Sequence, residues 1–458
     1  MSSGRADSYS SIDVTGLRGV IEDLEQSAGL MDRTLPGLRR DFEFFGVDTA
    51  NLTKLSNGYR ELTTVVEELW ERHNRAEVLL ADYEGRGLAG ADSIVRFPGD
   101  LLDGDHHVTH EIHHQDGRTP GDVHTWWEGL TDTERAYAIS YYPDTVGSLN
   151  GVPIAARDQA NRRVIMQEYT RMSERLAELE AGAPIDFYPD EPNPLPFYLD
   201  EGEHLKERLG GLDVIIERLD DQPGRPRAYL IDISTDGLGR AVVSIGNPDE
   251  ADNVATYIPG TGSRLSDGLA TDIRRTDRML EAADRFAPES TTSLIMWLGY
   301  DAPQDVFAEA PSPSLADKAS DNVRNFQEAL RTTHLKGRSH NTLLGHSYGS
   351  TVIGRAAREG DIHVDNLVFI ASPGVGVGHV SDLGIDPDRV FATRAKWDLI
   401  KATPRNILGP QPTGGGFGAT HFRSDNSNPL AGHSDYWESQ LARRNLAYII
   451  IGWHDEVN

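Results

Sequence analysis

One stretch constrains this chain more than any other: Asn341-Thr342-Leu343-Leu344-Gly345-His346-Ser347-Tyr348-Gly349-Ser350-Thr351-Val352-Ile353-Gly354. It begins as a short apolar strand, passes through a Gly-x-Ser-x-Gly turn, and opens into a helix on small residues. That is the sequence form of a nucleophile elbow. A sharp strand-to-helix turn forces the serine backbone into a strained conformation. Gly345 and Gly349 leave room for the two elements to cross, and the Ser347 hydroxyl stands near the positive end of the helix that begins at Tyr348. The pentapeptide acquires meaning only in a strand–turn–helix context, so the rest of the chain decides.

From Arg227 onward, strands and helices alternate. Tyr229–Ile233 and Ala241–Ile245 read as neighbouring strands, and Asn253–Ile258 as a third that runs into Pro259-Gly260-Thr261-Gly262-Ser263. A helix over 267–286, a strand over Ser293–Leu298 and a helix over 316–334 precede the elbow. After it come Asn366–Ala371, a last strand at Arg389–Thr393, and a closing helix over 436–452. This alternation predicts an α/β fold, a mostly parallel sheet with helices on both faces. Ligands of such sheets bind at the carboxyl ends of the strands.

A serine hydroxyl needs a base to take its proton, and the base needs an acid to orient it. With the chain order serine, acid, histidine, the best acid is Asp398, just past the last strand. Asp382, Asp386 and Asp388 precede that strand and read as surface or cap residues. His433, in a loop leading into the last helix, is favoured as base over His421, which stands in a glycine-rich loop. His379 and His454 read as surface residues. Oxyanion donors are expected from the backbone N–H of Tyr348 and from the loop at Gly260 and Thr261. Trp297, Tyr300 and Phe417 are candidate pocket residues for an acyl group. Thr413–Gly418 does not link a strand to a helix, so it reads as a mobile flap over the site.

The N-terminal half has a different texture. Apolar residues recur at spacings of three and four in Ile12-Leu17-Val20-Leu24 and in Leu62-Val65-Val66-Leu69-Leu80-Tyr83, the mark of helices. Longer helices are expected near 154–179 and 202–219, either side of a proline-rich link. Trp127-Glu128-Gly129 matches the Trp-x-Gly turn of small helical-hairpin secretion substrates. There it joins two helices of similar length; here it stands at the entry to Leu130–Ser140, where two tryptophans packing a helix N-terminus account for it. His110-Glu111-Ile112-His113-His114 satisfies the His-Glu-x-x-His zinc pattern. The residues ahead of it, Asp103-Gly104-Asp105-His106-His107, lack an apolar stripe, so a solvated His/Asp-rich loop is the favoured reading and no metal site is expected.

A formal charge of −28 over 458 residues argues against nucleic acid as a partner. No apolar run approaches the ~20 residues of a membrane span, and Met1–Ser8 lacks a secretory pattern. A cytoplasmic location is the default expectation, with signal-independent export left open. The absence of cysteine excludes disulfides and thiolate chemistry.

Several pieces together resemble an actinobacterial α/β-hydrolase family long catalogued as a domain of unknown function. They are Trp126-Trp127 with Leu130, Gly147–Pro153 with Ala156-Arg157-Asp158 and Asn161-Arg162, Pro259–Gly262, Gly299–Pro303, Gly345–Ser350, Ser372-Pro373-Gly374 and Gly432-His433-Ser434. The resemblance implies an α/β-hydrolase fold with Ser347, Asp398 and His433 in the triad positions. It also implies that 126–222 is a helical cap or flank of a catalytic domain at 223–458, leaving 1–125 as a separate helical region. The expected function is a serine hydrolase that cleaves a carboxylic ester, takes a small-molecule acyl substrate and needs no cofactor. Two other classes compete. One is a non-catalytic scaffold whose N-terminal helices bind a protein partner; the other is a zinc hydrolase working from His110 and His114.

Overall fold

The computed structural model describes residues 9–13, 94–98, 108, 111–112, 114–115, 117–181, 195–221, 223–305, 312–396, 398, 400, 408–424, 433 and 435–458, with backbone only at 9–13, 94–98 and 195–200. The chain divides into two units, Met1–Glu111 and Ile112–Asn458. In the first, β1 (Tyr9–Asp13) pairs antiparallel with β2 (Ile94–Pro98), placing Ile12 opposite Val95. Ile12 therefore belongs to a strand and not to the helical stripe its spacing suggests. Its partner lies some eighty residues away, beyond the reach of any local periodicity. The helical stretches read between Leu17 and Tyr83 lie outside the described residues, as do His110 and His113.

The second unit opens with α1 (Pro120–Gly129), α2 (Asp132–Tyr141), α3 (Pro143–Ser148), α4 (Ile154–Glu180) and α5 (Leu195–Leu219). The tryptophan pair lies within α1, not at the start of the next helix. Thr119 and Pro120 supply the start signal of α1, and the reciprocal Thr131–Glu134 capping box starts α2 only after the pair has passed. Then follow β3 (Ala228–Ser234), β4 (Arg240–Ile245), β5 (Asn253–Ile258), α6 (Leu269–Phe286), β6 (Thr292–Leu298), α7 (Ser314–Thr332), β7 (His340–His346), α8 (Tyr348–Glu359), β8 (Asn366–Ile370), β9 (Val390–Thr393), β10 (Thr420–His421) and α9 (Gln440–Ile450).

The eight strands β3 to β10 form one sheet in the order β10-β9-β8-β7-β5-β6-β4-β3. All pairings are parallel except those that β4 makes with β3 and β6. β5, β6, β8 and β9 are buried at every position, as strands covered on both faces must be, whereas β3 alternates. The strand order reverses around β5: β6 lies on one side of it and β7 on the other. Right-handed crossovers then place α6 on one face and α7 with α8 on the opposite face. The packing agrees, since α6 contacts α9 and α7 contacts α8. The reversal opens a crevice at the carboxyl end of β5, beside the end of β7 where Ser347 sits. The two-residue β10, which pairs with β9, adds a strand beyond the one read as last.

Helices α3 and α4 are fastened to β3 by side chains. Asn161 donates from its amide to the carbonyls of Gly147 (3.2 Å), Leu230 (3.1 Å) and Ile231 (2.7 Å). The buried carboxylate of Asp158 accepts from Leu230 N–H (2.8 Å), Arg162 (2.9 Å) and Arg227 (3.2 Å). Arg157 holds the end of α3 through the Gly147 carbonyl (2.9 Å) and the Asn150 side chain (3.0 Å). These bonds meet a register shift in β3 between Leu230 and Asp232, where the ladder to β4 loses step. A Cβ on Gly147 would stand 2.0 Å from Asn161 Oδ1, so only glycine permits this approach.

Asn161→Leu would strip the Leu230 and Ile231 carbonyls of this buried donor, while Gly147 keeps its bond from Arg157. The expected loss is about 2–4 kcal/mol of unfolding free energy, read as a lower urea midpoint with an unchanged slope. At the amino end of the sheet, His340 Nε2 accepts from Asn366 (2.8 Å) and His454 Nδ1 accepts from Arg389, so both nitrogens must be unprotonated. Burial, then the Arg389 charge, lowers His454 to about 4, and burial lowers His340 too. Below about pH 6.5 the unfolded chain binds protons that the folded chain does not. The stability held above that pH should be lost progressively as pH falls toward 4. Melting temperature against pH should show this slope, and His454→Gln should flatten part of it.

Candidate active site

The elbow is real as backbone geometry. Ser347 has φ 51° and ψ −126°, a conformation that costs a side-chain-bearing residue about 1–3 kcal/mol. Its surroundings hold it there. The Ser347 N–H donates to the Ile370 carbonyl (2.9 Å), and its own carbonyl accepts from Ser350 N–H (3.0 Å) and from the Ser350 hydroxyl. The Ser350 and Ser372 hydroxyls are hydrogen-bonded to each other (2.6 Å), and Ser372 Oγ also accepts from Gly374 N–H (3.2 Å). Ser372-Pro373-Gly374 thus braces the elbow from the next strand. A Cβ at Gly345 would lie 2.6 Å from Ser350 Cα, and one at Gly349 2.3 Å from the Ile258 carbonyl oxygen. Gly345 is required by the crossing of β7 and α8, and Gly349 by the close approach of α8 to the end of β5.

Ser347, His433 and Asp398 come together. His433 Nε2 is 2.9 Å from Ser347 Oγ, and His433 Nδ1 is 2.9 Å from Asp398 Oδ1. An ionised carboxylate can only accept, so Nδ1 carries the proton and the bare Nε2 faces the serine hydroxyl. Asp398 has no exposed side-chain surface. It is satisfied instead by His433, by Ile400 N–H (2.9 Å) on Oδ1, and by the Tyr436 hydroxyl (2.7 Å) on Oδ2. The Tyr436 oxygen also accepts Ala395 N–H (2.8 Å), so it ties the acid to the turn that follows β9. Burial, then the Asp398 charge, raises the Tyr436 phenol and keeps it a donor. Ser347 is nearly buried, while the His433 side chain is 38% exposed, so the trio opens to solvent on the histidine side.

His346 and Tyr436 are residues the sequence reading did not single out. His346 is buried, and its Nε2 donates to the backbone carbonyl of His433 (2.8 Å). Its ring lies 5.0 Å from that of His433 and 5.0 Å, edge-on, from Trp437. It occupies a variable position of the elbow motif, where spacing carries no signal. Tyr436 follows His433 by a single turn of chain, and only the fold reveals that its hydroxyl reaches Asp398.

The loop after β5 lies directly against the elbow. A Cβ at Gly260 would be 2.7 Å from Ser347 Cβ and 3.2 Å from Tyr348 N. Tyr300 donates its hydroxyl to the Pro259 carbonyl (2.7 Å), fixing the start of the loop. Gly262 N–H is committed to Pro303 (2.8 Å) and Ser263 N–H to Gly260 (3.3 Å), whereas Thr261 N–H has no partner among the described residues. Tyr348 N–H begins α8, where helical N–H groups lack intrahelical acceptors. The Tyr348 side chain points elsewhere: its hydroxyl donates to the Ser312 carbonyl and accepts Ala316 N–H (3.2 Å), and burial raises it to about 12.

Other candidates lie apart from this cluster. Trp297 stacks on Tyr300 (6.3 Å between centroids) and lines a separate cleft of about 310 Å³ with Arg157, Asp232 and Arg240. Phe417 is buried edge-on against Phe369 of β8, and its carbonyl accepts Val380 N–H (2.9 Å). The segment read as a mobile flap is therefore pinned to the sheet at that residue. His421 is exposed in β10 and its Nε2 donates to the Pro412 carbonyl (3.2 Å). Asp386 caps the turn before β9. Among the described residues, no cluster of three or more His, Asp or Glu could hold a metal ion, and no helix is long and apolar enough to cross a membrane.

A serine elbow at the carboxyl end of a mostly parallel sheet, with a histidine and an acid delivered from later loops, defines the α/β-hydrolase class. Residues 235–407 match a family described as alpha/beta hydrolase. An uncharacterised protein of Mycobacterium tuberculosis is 31% identical over 372 residues, covering 73% of this chain and 56% of that protein. The chain thus spans little more than half the length of that relative. An uncharacterised protein of Mycobacterium bovis is 28% identical over 191 residues, covering 40% of this chain and 71% of its own. A dienelactone hydrolase from Anabaena variabilis covers 51% of this chain and 99% of its own at 14% identity, with a TM-score of 0.32. A hyperthermophilic esterase from Pyrobaculum calidifontis covers 62% and 97% at 13% identity, with a TM-score of 0.30. The chain belongs to an α/β-hydrolase family with mycobacterial members.

Tyr436→Phe would leave one oxygen of the buried Asp398 and the Ala395 N–H without a partner. An expected loss of about 1–3 kcal/mol should appear in denaturant unfolding.

Proposed function

We propose that this protein is a serine hydrolase that cleaves a carboxylic ester of a small molecule through an acyl-enzyme. The observation that carries the reading is the unbroken relay from Ser347 Oγ through His433 to the buried Asp398, each contact 2.9 Å. In the acylation step Ser347 Oγ forms a bond to the ester carbonyl carbon as its proton passes to His433 Nε2. The imidazolium so formed is stabilised by Asp398, which holds Nδ1–H throughout. The carbonyl oxygen becomes an oxyanion, accepted by the N–H groups of Tyr348 and Thr261, with Gly260 keeping the loop close enough for both to act. Collapse of the intermediate breaks the bond to the leaving alcohol, whose oxygen takes the proton from Nε2. Water then repeats the sequence on the acyl-enzyme: His433 removes its proton, the hydroxyl adds to the carbonyl, and Ser347 departs with the proton returned. Every step is completed by groups of this chain and water, so no cofactor enters the scheme.

Intact mass after incubation with a fluorophosphonate tests this directly. Wild type should gain a single adduct, Ser347→Ala none, and a chelator should change neither. Turnover of p-nitrophenyl esters should fall at least about 10³-fold in Ser347→Ala and in His433→Ala. A folded wild type that gains no adduct, or a Ser347→Ala protein that labels equally well, would overturn the reading.

A further inference from the structure

The acid of the relay is held by three donors, but the base is harder to hold. His433 must stay within hydrogen-bond reach of both Ser347 and Asp398 while its ring changes charge in each half-reaction. Bonds to the ring alone constrain its orientation; they do not fix where the backbone carries it. Among the described residues, the contact that fixes that backbone is the 2.8 Å bond from His346 Nε2–H to the His433 carbonyl. The donor stands next to the nucleophile in sequence, so one residue couples the position of the base to the elbow itself.

We propose that His346 is a positioning residue of the hydrolytic site: its side-chain N–H pins the His433 carbonyl and thereby sets the distance from His433 Nε2 to Ser347 Oγ. This inference rests on the serine-hydrolase reading given above. Two further features fit the role. The ring is clamped between His433 and the edge-on Trp437, against which the Arg275 guanidinium also packs, 4.3 Å from its ring centre. The donor is thus immobilised by packing and does not depend on solvent. Burial above all, then the adjacent His433 and Arg275 charges, keeps the His346 ring neutral. The charged groups facing it are His433 from the loop before α9, Arg275 from α6 across Trp437, and Asp398 beyond His433. Neutrality matters because a second cation 5.0 Å away would oppose the imidazolium that His433 must form.

The test compares wild type with His346→Leu, which lacks the donor, and His346→Gln, which retains a side-chain N–H. Folding of each is checked first by melting temperature and near-ultraviolet circular dichroism. With p-nitrophenyl butyrate, the Leu variant should lose roughly 10- to 100-fold in kcat with KM nearly unchanged, since a misplaced base slows chemistry without altering ester binding. Its rate of fluorophosphonate labelling should fall in parallel, and the Gln variant should recover most of both losses. Should the Leu variant not fold, His346→Asn, polar but too short to reach the carbonyl, takes its place with the same expectation. A folded Leu or Asn variant that labels at the wild-type rate overturns this inference while leaving the serine-hydrolase reading intact. A folded Gln variant no better than Leu overturns it as well, since packing and not the N–H would then matter. A wild type that fails to label overturns the parent reading and this inference together.

Discussion

The site depends on one residue being held where an L-amino acid does not rest. Ser347 at φ 51° is the point at which a buried strand must turn into a buried helix within a single residue. The crossing of β7 and α8 demands glycine at 345, the seating of α8 on the end of β5 demands it at 349, and the Ser350 hydroxyl braces the turn. Once the turn is enforced, the serine side chain has no room to fold back into the core. It is directed to the carboxyl edge of the sheet, where the reversal of strand order has opened a crevice. The strain at Ser347 and the position of the candidate site are two results of the same crossing.

Around this point the protein gathers donors that carry no charge. The Tyr436 hydroxyl, the Ile400 N–H and the neutral ring of His346 surround a single buried carboxylate and the histidine it orients. A buried anion without partners would be strongly unfavourable, and a buried cation beside His433 would resist its protonation. Neutral hydrogen-bonding groups avoid both. They fix the geometry of Asp398 and His433 without adding charge beside them. The charged pair Asp272–Arg275, bonded at 2.8 Å and joined to the Tyr257 hydroxyl, is kept one layer back behind Trp437.

Much of this was legible in the chain. Short continuous apolar runs and helical stretches between them marked the alternating elements from Tyr229 to Thr393, because those elements bury whole strands and single helix faces. The elbow was legible because its backbone demands glycine at fixed spacing. Asp398 and His433 could be chosen from chain order and from their places after a strand and before a helix. What stayed hidden depends on side chains meeting across long separations. Nothing local says that Tyr436 reaches Asp398, or that Trp297 and Phe417 turn into the packing of the sheet instead of toward Ser347. The pairing of Tyr9–Asp13 with Ile94–Pro98 was equally invisible, as was β10, too short to carry a period. The motif from Gly147 to Arg162 was conspicuous as sequence yet silent as to role. The fold assigns Arg157, Asp158, Asn161 and Arg162 to the fastening of two helices onto β3.

That fastening has a consequence for how the molecule meets its own copies. β3 is the last strand of the sheet, and an end strand normally offers a row of free amides and carbonyls to which another chain can add. Here the Leu230 N–H is held by Asp158, the Leu230 and Ile231 carbonyls by Asn161, and the Ala228 carbonyl by Arg162. The register shift at the same place bends the strand away from the flat geometry that a foreign strand would need. A helix has lent its polar side chains to play the part of a neighbouring strand. The β3 end of the sheet is thereby closed to templated growth, and a fold with a largely buried sheet is protected from polymerising through that edge.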